Sequence, residues 1–302
     1  MGFDEAFKSV LIANEAKLNL YSNHLVVRQE EFEAKIYLKD INFIILESMQ
    51  INLTSNLLSA LAKNKIILLT CDETHCINGV FSPYLGHFQS AKIAKMQIAV
   101  REQTKAILWQ KIIKNKINNQ AYVLENANKI REAKQLRKLA KEVLLNDKSN
   151  IEATAAALYF KTLFGIGFSR DSLCLENSAL NYGYAIVRAC IIRAVCISGL
   201  LPWSGIKHDN VYNAFSLCDD LIEPFRPIVD LSVLRRMEFE KTKEICVILN
   251  KDFKRNLINN LQREVRINGK DYPLNRAINQ YVQNFKNALF NKEELRVVEF
   301  ND

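Results

Sequence analysis

Along this 302-residue chain the hydrophobic period changes once, near Ser90, from two to 3.6. A period of two places side chains on alternate faces of a strand, while 3.6 gathers them on one side of a helix. Before the change, "KLNLYSNHLVV", "AKIYLKDINFIIL" and "KIILLT" alternate or run apolar, separated by Asn, Asp and Ser. "LTSNLLSALAKN" interrupts them with a helical pattern that Thr54 or Ser55 is placed to cap. After it, "AKIAKMQIAVREQTKAILWQKIIKNKI" and "NANKIREAKQLRKLAKEVLL" are long, basic and amphipathic. Further helices are predicted over 150–165, 176–199, 211–223, 233–250 and 274–290, and Asn268-Gly269 marks a β-hairpin. The expected fold is α+β in two domains. Residues 1–90 form a small β-rich N-terminal domain, and residues 91–302 form a larger all-α domain.

Composition narrows the class. Hydrophobic residues are 49% and charged residues 25%, with 9 Gly and 5 Pro, which excludes disorder over nearly the whole length. A net charge of +8 favours an acidic partner, nucleic acid or anionic lipid, and the first two helices carry much of the Lys and Arg. Such runs normally form a solvated face. Seven cysteines without framework spacing suit a reduced, intracellular setting. Cys71, His75 and Cys76 in "CDETHC" are potential metal ligands, but no second pair with finger spacing follows. The first residues lack a signal-peptide pattern, and Ala6 stands where myristoylation needs Ser or Thr. "AIVRACIIRAVCISGLL" contains Arg188 and Arg193 and reads as a buried helix rather than a membrane span. A soluble, cytoplasmic protein is expected.

Three stretches put polar groups in apolar settings. Glu152 opens a helix otherwise made of Ala, Leu, Tyr and Phe, and Ser149-x-x-Glu152 also fits a capping box. His208 lies in the loop of "GLLPWSGIKHDNVYNAF", either inert or a ligand. In "NAFSLCDDLIEPFRPIVD", Asp219, Asp220 and Glu223 sit among apolar residues before two prolines that should end the helix. Asp220 and Glu223 fall one turn apart on one face, so the segment demands a cation unless it is a solvated acidic face. One imidazole and several carboxylates in a basic protein fit a Mg²⁺ or Mn²⁺ site handling phosphodiesters.

The order of these residues, with "LNYGYAIVRA", "GLLPWSGIKHDN" and "DLIEPFRPIVD", resembles the CRISPR-associated spacer integrases over essentially the whole chain. Length and the "EPFRP" wording are most similar to members from single-effector (type II) systems. The resemblance implies that the helical domain is catalytic, that Glu152, His208 and Glu223 bind the metal, and that Asp220 is an additional acid. His208 would act as ligand or in proton transfer. It also implies transesterification, in which the 3′-hydroxyl of a short captured double-stranded DNA attacks a repeat end. Arg226 would clamp phosphate, or else pair with Asp219 or Asp220, and Asn181 and Tyr184 would lie near the DNA or behind the site. Implied partners are a second copy, dimerising through the β-domain, and a small ferredoxin-like second adaptation protein. Some systems add the RNA-guided effector nuclease and an accessory ring protein. Two other readings stand beside this one: a metal-dependent DNA endonuclease or junction-cleaving enzyme using the same residues, and a non-catalytic DNA-binding scaffold.

Overall fold

A computed structural model describes residues 8–73, 77–83, 87–208, 210–241, 249–291 and 293–300, with the side chains of 239–241 outside that description. The N-terminal half contains β1 (Lys8–Ile12), β2 (Ala16–Tyr21), β3 (His24–Gln29), β4 (Phe32–Tyr37), β5 (Ile41–Leu46), β6 (Ile51–Leu53), α1 (Ser55–Lys63), β7 (Ile67–Cys71) and β8 (Ile77–Phe81). They form two four-stranded sheets, β4-β3-β2-β6 and β1-β5-β7-β8. Thr54 caps α1, its hydroxyl accepting from the Leu57 amide at 3.3 Å.

Every residue of β5 is buried, which explains why "INFIIL" does not alternate. Ile44 and Leu46 join Leu18, Leu25, Leu57 and Leu61 in the core between the two sheets. Phe43 and Ile45, on the opposite face, join the core of the helices. The β-rich half therefore keeps a core of its own and contributes its other face to the core of the helical half.

The helical half contains α2 (Ser90–Ile98), α3 (Glu102–Asn126), α4 (Ile130–Glu142), α5 (Ile151–Phe164), α6 (Leu175–Ser198), α7 (Ser216–Leu221), α8 (Arg226–Lys241), α9 (Lys251–Asn259) and α10 (Leu274–Asn291). The first basic stretch is two helices, because Arg101 is extended between α2 and α3. The helix expected over 211–223 starts only at Ser216. Before it, Asn213 accepts from the Phe215 amide at 2.9 Å and donates to Asp219 at 2.7 Å, a local turn that competes with helix. Helix α7 ends at Leu221, ahead of the two prolines, but helical structure resumes at once. Pro224 lies in a 3₁₀ turn over Glu223–Phe225, and Pro227 lies in the first turn of α8, where its missing N–H costs nothing.

The helical half also carries strands β9 (Glu264–Ile267), β10 (Lys270–Pro273) and β11 (Val298–Phe300), in the order β10-β9-β11. Asn268 and Gly269 make the hairpin turn with φ of 54° and 73°. The three residues of β11 are too short to show a period. Helix α6 is long and apolar enough to cross a membrane, yet 72% of its apolar window is buried inside the protein. Its buried Arg193 donates to the Lys65 carbonyl at 2.8 Å.

A buried ion pair links the halves. Glu47, just after β5, meets Lys254 of α9, both side chains are buried, and the Tyr182 ring lies 5.6 Å from the ammonium. Glu47→Gln should destabilise the protein by about 3–5 kcal/mol in urea unfolding, since it strands a buried ammonium. Replacing both residues by Met should recover most of that loss.

Candidate metal centre

Helix α3 is the rod on which the site is built. Trp109, Ile112, Ile113 and Ile117 anchor it in the core. Its polar residues are spent on fixing neighbours. The buried Asn115 amide donates to the Val298 carbonyl at 2.7 Å and accepts from the Val298 amide at 2.8 Å. Asn119 donates to the Pro224 carbonyl at 2.8 Å, which ties α3 to the turn carrying Glu223. Between them Lys116 reaches out. Its Nζ is 2.6 Å from Glu152 Oε1 and 2.5 Å from Glu223 Oε2. The acidic segment's demand for a cation is met by a residue about a hundred positions upstream, in a helix the sequence suggested was solvated.

Glu152 is aimed by a cap, and the cap is not its own. The Asp147 carboxylate accepts from the amides of Ile151 and Glu152, each at 3.0 Å. Asn150 turns the chain through a left-handed φ of 52° ahead of α5. The Ser149–Glu152 capping box is thus overturned: Asp147 does that work, which releases the Glu152 side chain toward Lys116.

Glu223 is nearly buried and held from two sides, by Lys116 and by Arg226 Nε at 2.8 Å from Oε1. Arg226 therefore pairs with Glu223, and not with Asp219 or Asp220. Asp219 belongs to Arg188 of α6, at 2.5 and 2.9 Å.

Asp220 has no exposed surface and faces the loop before it. It accepts from the amides of Ile206 at 2.7 Å, Lys207 at 3.1 Å and His208 at 3.3 Å, and from the His208 ring Nδ1 at 2.6 Å. A Cβ on Gly205 would fall 2.2 Å from the His208 carbonyl oxygen and 2.9 Å from the Asp220 carboxylate, so only glycine lets the loop wrap this tightly. Trp109 of α3 packs edge-on against the imidazole, with ring centroids 5.5 Å apart. With Nδ1 engaged by Asp220, Nε2 is the nitrogen left for chemistry.

The charges are coupled. Burial pushes Glu223 toward protonation, but Lys116 and Arg226 outweigh it and bring its pKa to about 2. Burial also works against the Lys116 ammonium, yet Glu223 and Glu152 hold its pKa above the usual lysine value. The hydrogen bond that the ring donates to Asp220 raises the His208 pKa, and Glu223 and Glu152 both add to the rise. His208 thus feels both carboxylates.

Behind Glu223 lies a second buried group. Asp230 accepts from the Tyr159 hydroxyl at 2.9 Å and from the Tyr184 hydroxyl. Burial pushes the Asp230 pKa up to about 6 despite both hydrogen bonds. The Tyr184 ring lies 4.7 Å from the Arg226 guanidinium and 5.4 Å from that of Arg170, and Arg170 donates to Asn181 at 2.6 Å. Tyr184 is buried beneath Arg226, whereas Asn181 is exposed and accepts from Arg170.

Chemically, the donors fit a hard divalent ion. Glu152 and Glu223 already reach one positively charged atom, and His208 Nε2 is available nearby. Among the described residues, no three His, Cys, Asp or Glu side chains close on a common ion as they stand, and Lys116 fills the point between the two carboxylates. Cys71 is buried and unbridged, while His75 and Cys76 lie outside the described residues. Lys116, Asp147 and Asp230 escaped sequence reasoning: Lys116 is remote in sequence from Glu152 and Glu223, and although Asp147 and Asp230 are close to them, no pattern in the chain marks their roles.

The family model for CRISPR associated protein Cas1 matches residues 10–263. The chain is 39% identical to the CRISPR-associated endonuclease Cas1 of Neisseria meningitidis serogroup C, over 95% of this chain and 93% of that one. It is 28% identical to a CRISPR-associated endonuclease Cas1 of Francisella tularensis subsp. novicida, over 88% and 90%. Among solved structures, a casposase bound to integration product superposes with a TM-score of 0.78 at 21% identity, over 95% of this chain and 92% of that one. A Cas1 protein from Thermotoga maritima gives 0.72 at 17% identity, over 93% and 97%. A Cas6-RT-Cas1–Cas2 complex gives 0.75 at 19% identity, over 96% of this chain and 35% of that one. The chain belongs to the Cas1 family.

Two measurements check the local geometry. Asp147→Ala should lower stability by about 1–2 kcal/mol, whereas Ser149→Ala should leave chemical unfolding unchanged. Asp230 has its folded pKa raised above its ordinary 3.8, so the stability it contributes is present at low pH and lost as pH rises through about 6. Between pH 4 and 7 the stability of the wild type relative to Asp230→Asn should therefore fall, by on the order of 1–3 kcal/mol.

Proposed function

We propose that this protein is a metal-dependent DNA integrase of CRISPR adaptation, joining the 3′-hydroxyl ends of short captured DNA to the ends of a CRISPR repeat. The observation that carries the reading is the meeting of Glu152 and Glu223 on a single cation beside His208. Membership of the Cas1 family supports it, as does the likeness to a casposase solved with an integration product. The partners proposed with it are double-stranded DNA, a second copy of the chain and Cas2, the last on the strength of neighbours solved as Cas1–Cas2 complexes.

In this reaction the donor 3′-oxygen forms a bond to the repeat phosphorus, and the existing bond from that phosphorus to its own 3′-oxygen breaks. One phosphodiester replaces another, and a new 3′-hydroxyl is released. Glu152, Glu223 and His208 Nε2 would hold Mg²⁺ or Mn²⁺, which supplies charge neutralisation on the phosphate and on the attacking and leaving oxygens. Asp220 keeps the His208 loop closed and its Nδ1 proton in place, so the imidazole presents Nε2. Arg226 holds the Glu223 carboxylate in one rotamer through Oε1. The protein's main task would be alignment of two DNA ends, which is where much of the acceleration of such a step arises.

A hydrolytic reading has a specific support as well, since the curated relatives are named endonucleases. Water would then take the place of the donor hydroxyl at the same site. A joining assay with 3′-hydroxyl and 3′-blocked donors separates the two. Joined product with the hydroxyl donor, its loss with the blocked donor, and its loss in folded His208→Ala and Glu223→Gln are expected. Cleaved repeat without joined product under every condition would favour hydrolysis, and full joining by His208→Ala would remove the imidazole from the mechanism.

A further inference from the structure

Lys116 sits where a shared metal ion would have to be. Its ammonium touches Glu152 Oε1 and Glu223 Oε2, the side chain is 12% exposed, and Arg226 takes the other oxygen of Glu223. Two carboxylates and two cations make a neutral group in a mostly buried pocket. A divalent ion added to that group would meet an ammonium on the same two oxygens, a repulsion that a site shielded from water cannot screen. Arg226 has no such conflict, because it holds Oε1 and leaves Oε2 to be handed over. Lys116 has a flexible four-carbon stem, which lets it withdraw without moving α3.

We propose that Lys116 is a resident counter-cation of this site, holding Glu152 and Glu223 together before metal binds and leaving the space between them when metal enters. The inference rests on the metal-site reading above. Lys116 is then a positioning residue with two effects. The carboxylates stay assembled without the ion, because the ammonium offsets their mutual repulsion. Metal affinity is lowered, because each binding event must first break the Lys116 pairs. Removing the ammonium should tighten metal binding and weaken the metal-free protein.

The test is calorimetric titration of Mn²⁺ into metal-stripped full-length protein, comparing wild type, Lys116→Met, Lys116→Gln and Glu223→Gln. Glu223→Gln should lose binding, while both Lys116 variants should bind Mn²⁺ about tenfold tighter or more. Both should also melt below wild type in chelator and recover a larger share of that difference in Mn²⁺. Wild-type binding that Glu223→Gln abolishes, with no tightening in either Lys116 variant, would overturn the displacement and leave the metal site standing. Absent wild-type binding, or binding indifferent to Glu223→Gln, would overturn the metal-site reading and this inference with it. Amine acylation of the wild type, read by mass spectrometry, answers the question even if the variants do not fold. Lys116 should be protected in chelator and reactive in Mn²⁺, and protection in both would overturn the proposal.

Discussion

A carboxylate leaves water only when a positive charge or a set of donors meets it, and in this protein that condition organises the site. Glu223 is nearly buried because Lys116 and Arg226 flank it, one on each oxygen. Glu152 joins through the same ammonium. Lys116 can reach both only because α3 is locked in the core and pinned by Asn115 to β11 and by Asn119 to the Glu223 turn. Three segments separated by long stretches of chain are thus registered by one helix.

The remaining acids act through backbone. Asp147 gathers two amides at the start of α5 and so frees Glu152 to face inward. Asp220 gathers three amides and an imidazole nitrogen and fixes the loop bearing His208. Lys207 Nζ donates to the Asn146 carbonyl at 3.1 Å, joining the two loops. The two acids thus play the same part in neighbouring loops, each converting an irregular loop into a fixed platform.

How much of this was legible in the chain follows from what a periodic pattern can carry. The switch near Ser90, the α1 cap at Thr54 and the Asn268–Gly269 hairpin are local features, and they appear as read. The unbroken apolar run of β5 signalled burial, but not that its two faces serve two cores. The prolines marked the end of α7 but hid the start of α8, because a proline that cannot continue one helix is well placed to begin the next. Glu152, His208, Asp220 and Glu223 were singled out as polar groups in apolar surroundings. Which acid meets which cation was not visible. Arg226 chose Glu223, Asp219 went to Arg188, and Lys116 came from a stretch whose charge suggested solvent. Those choices depend on helix packing, and no spacing within one segment encodes them.

The central claim is that Glu152, His208 and Glu223 can share one divalent ion. Anomalous scattering from crystals grown with Mn²⁺ tests it most directly. The account predicts one peak bonded, at about 2.1 Å, to a carboxylate oxygen of Glu152, one of Glu223 and Nε2 of His208. A manganese peak elsewhere, with both glutamates still closed on Lys116, would contradict it.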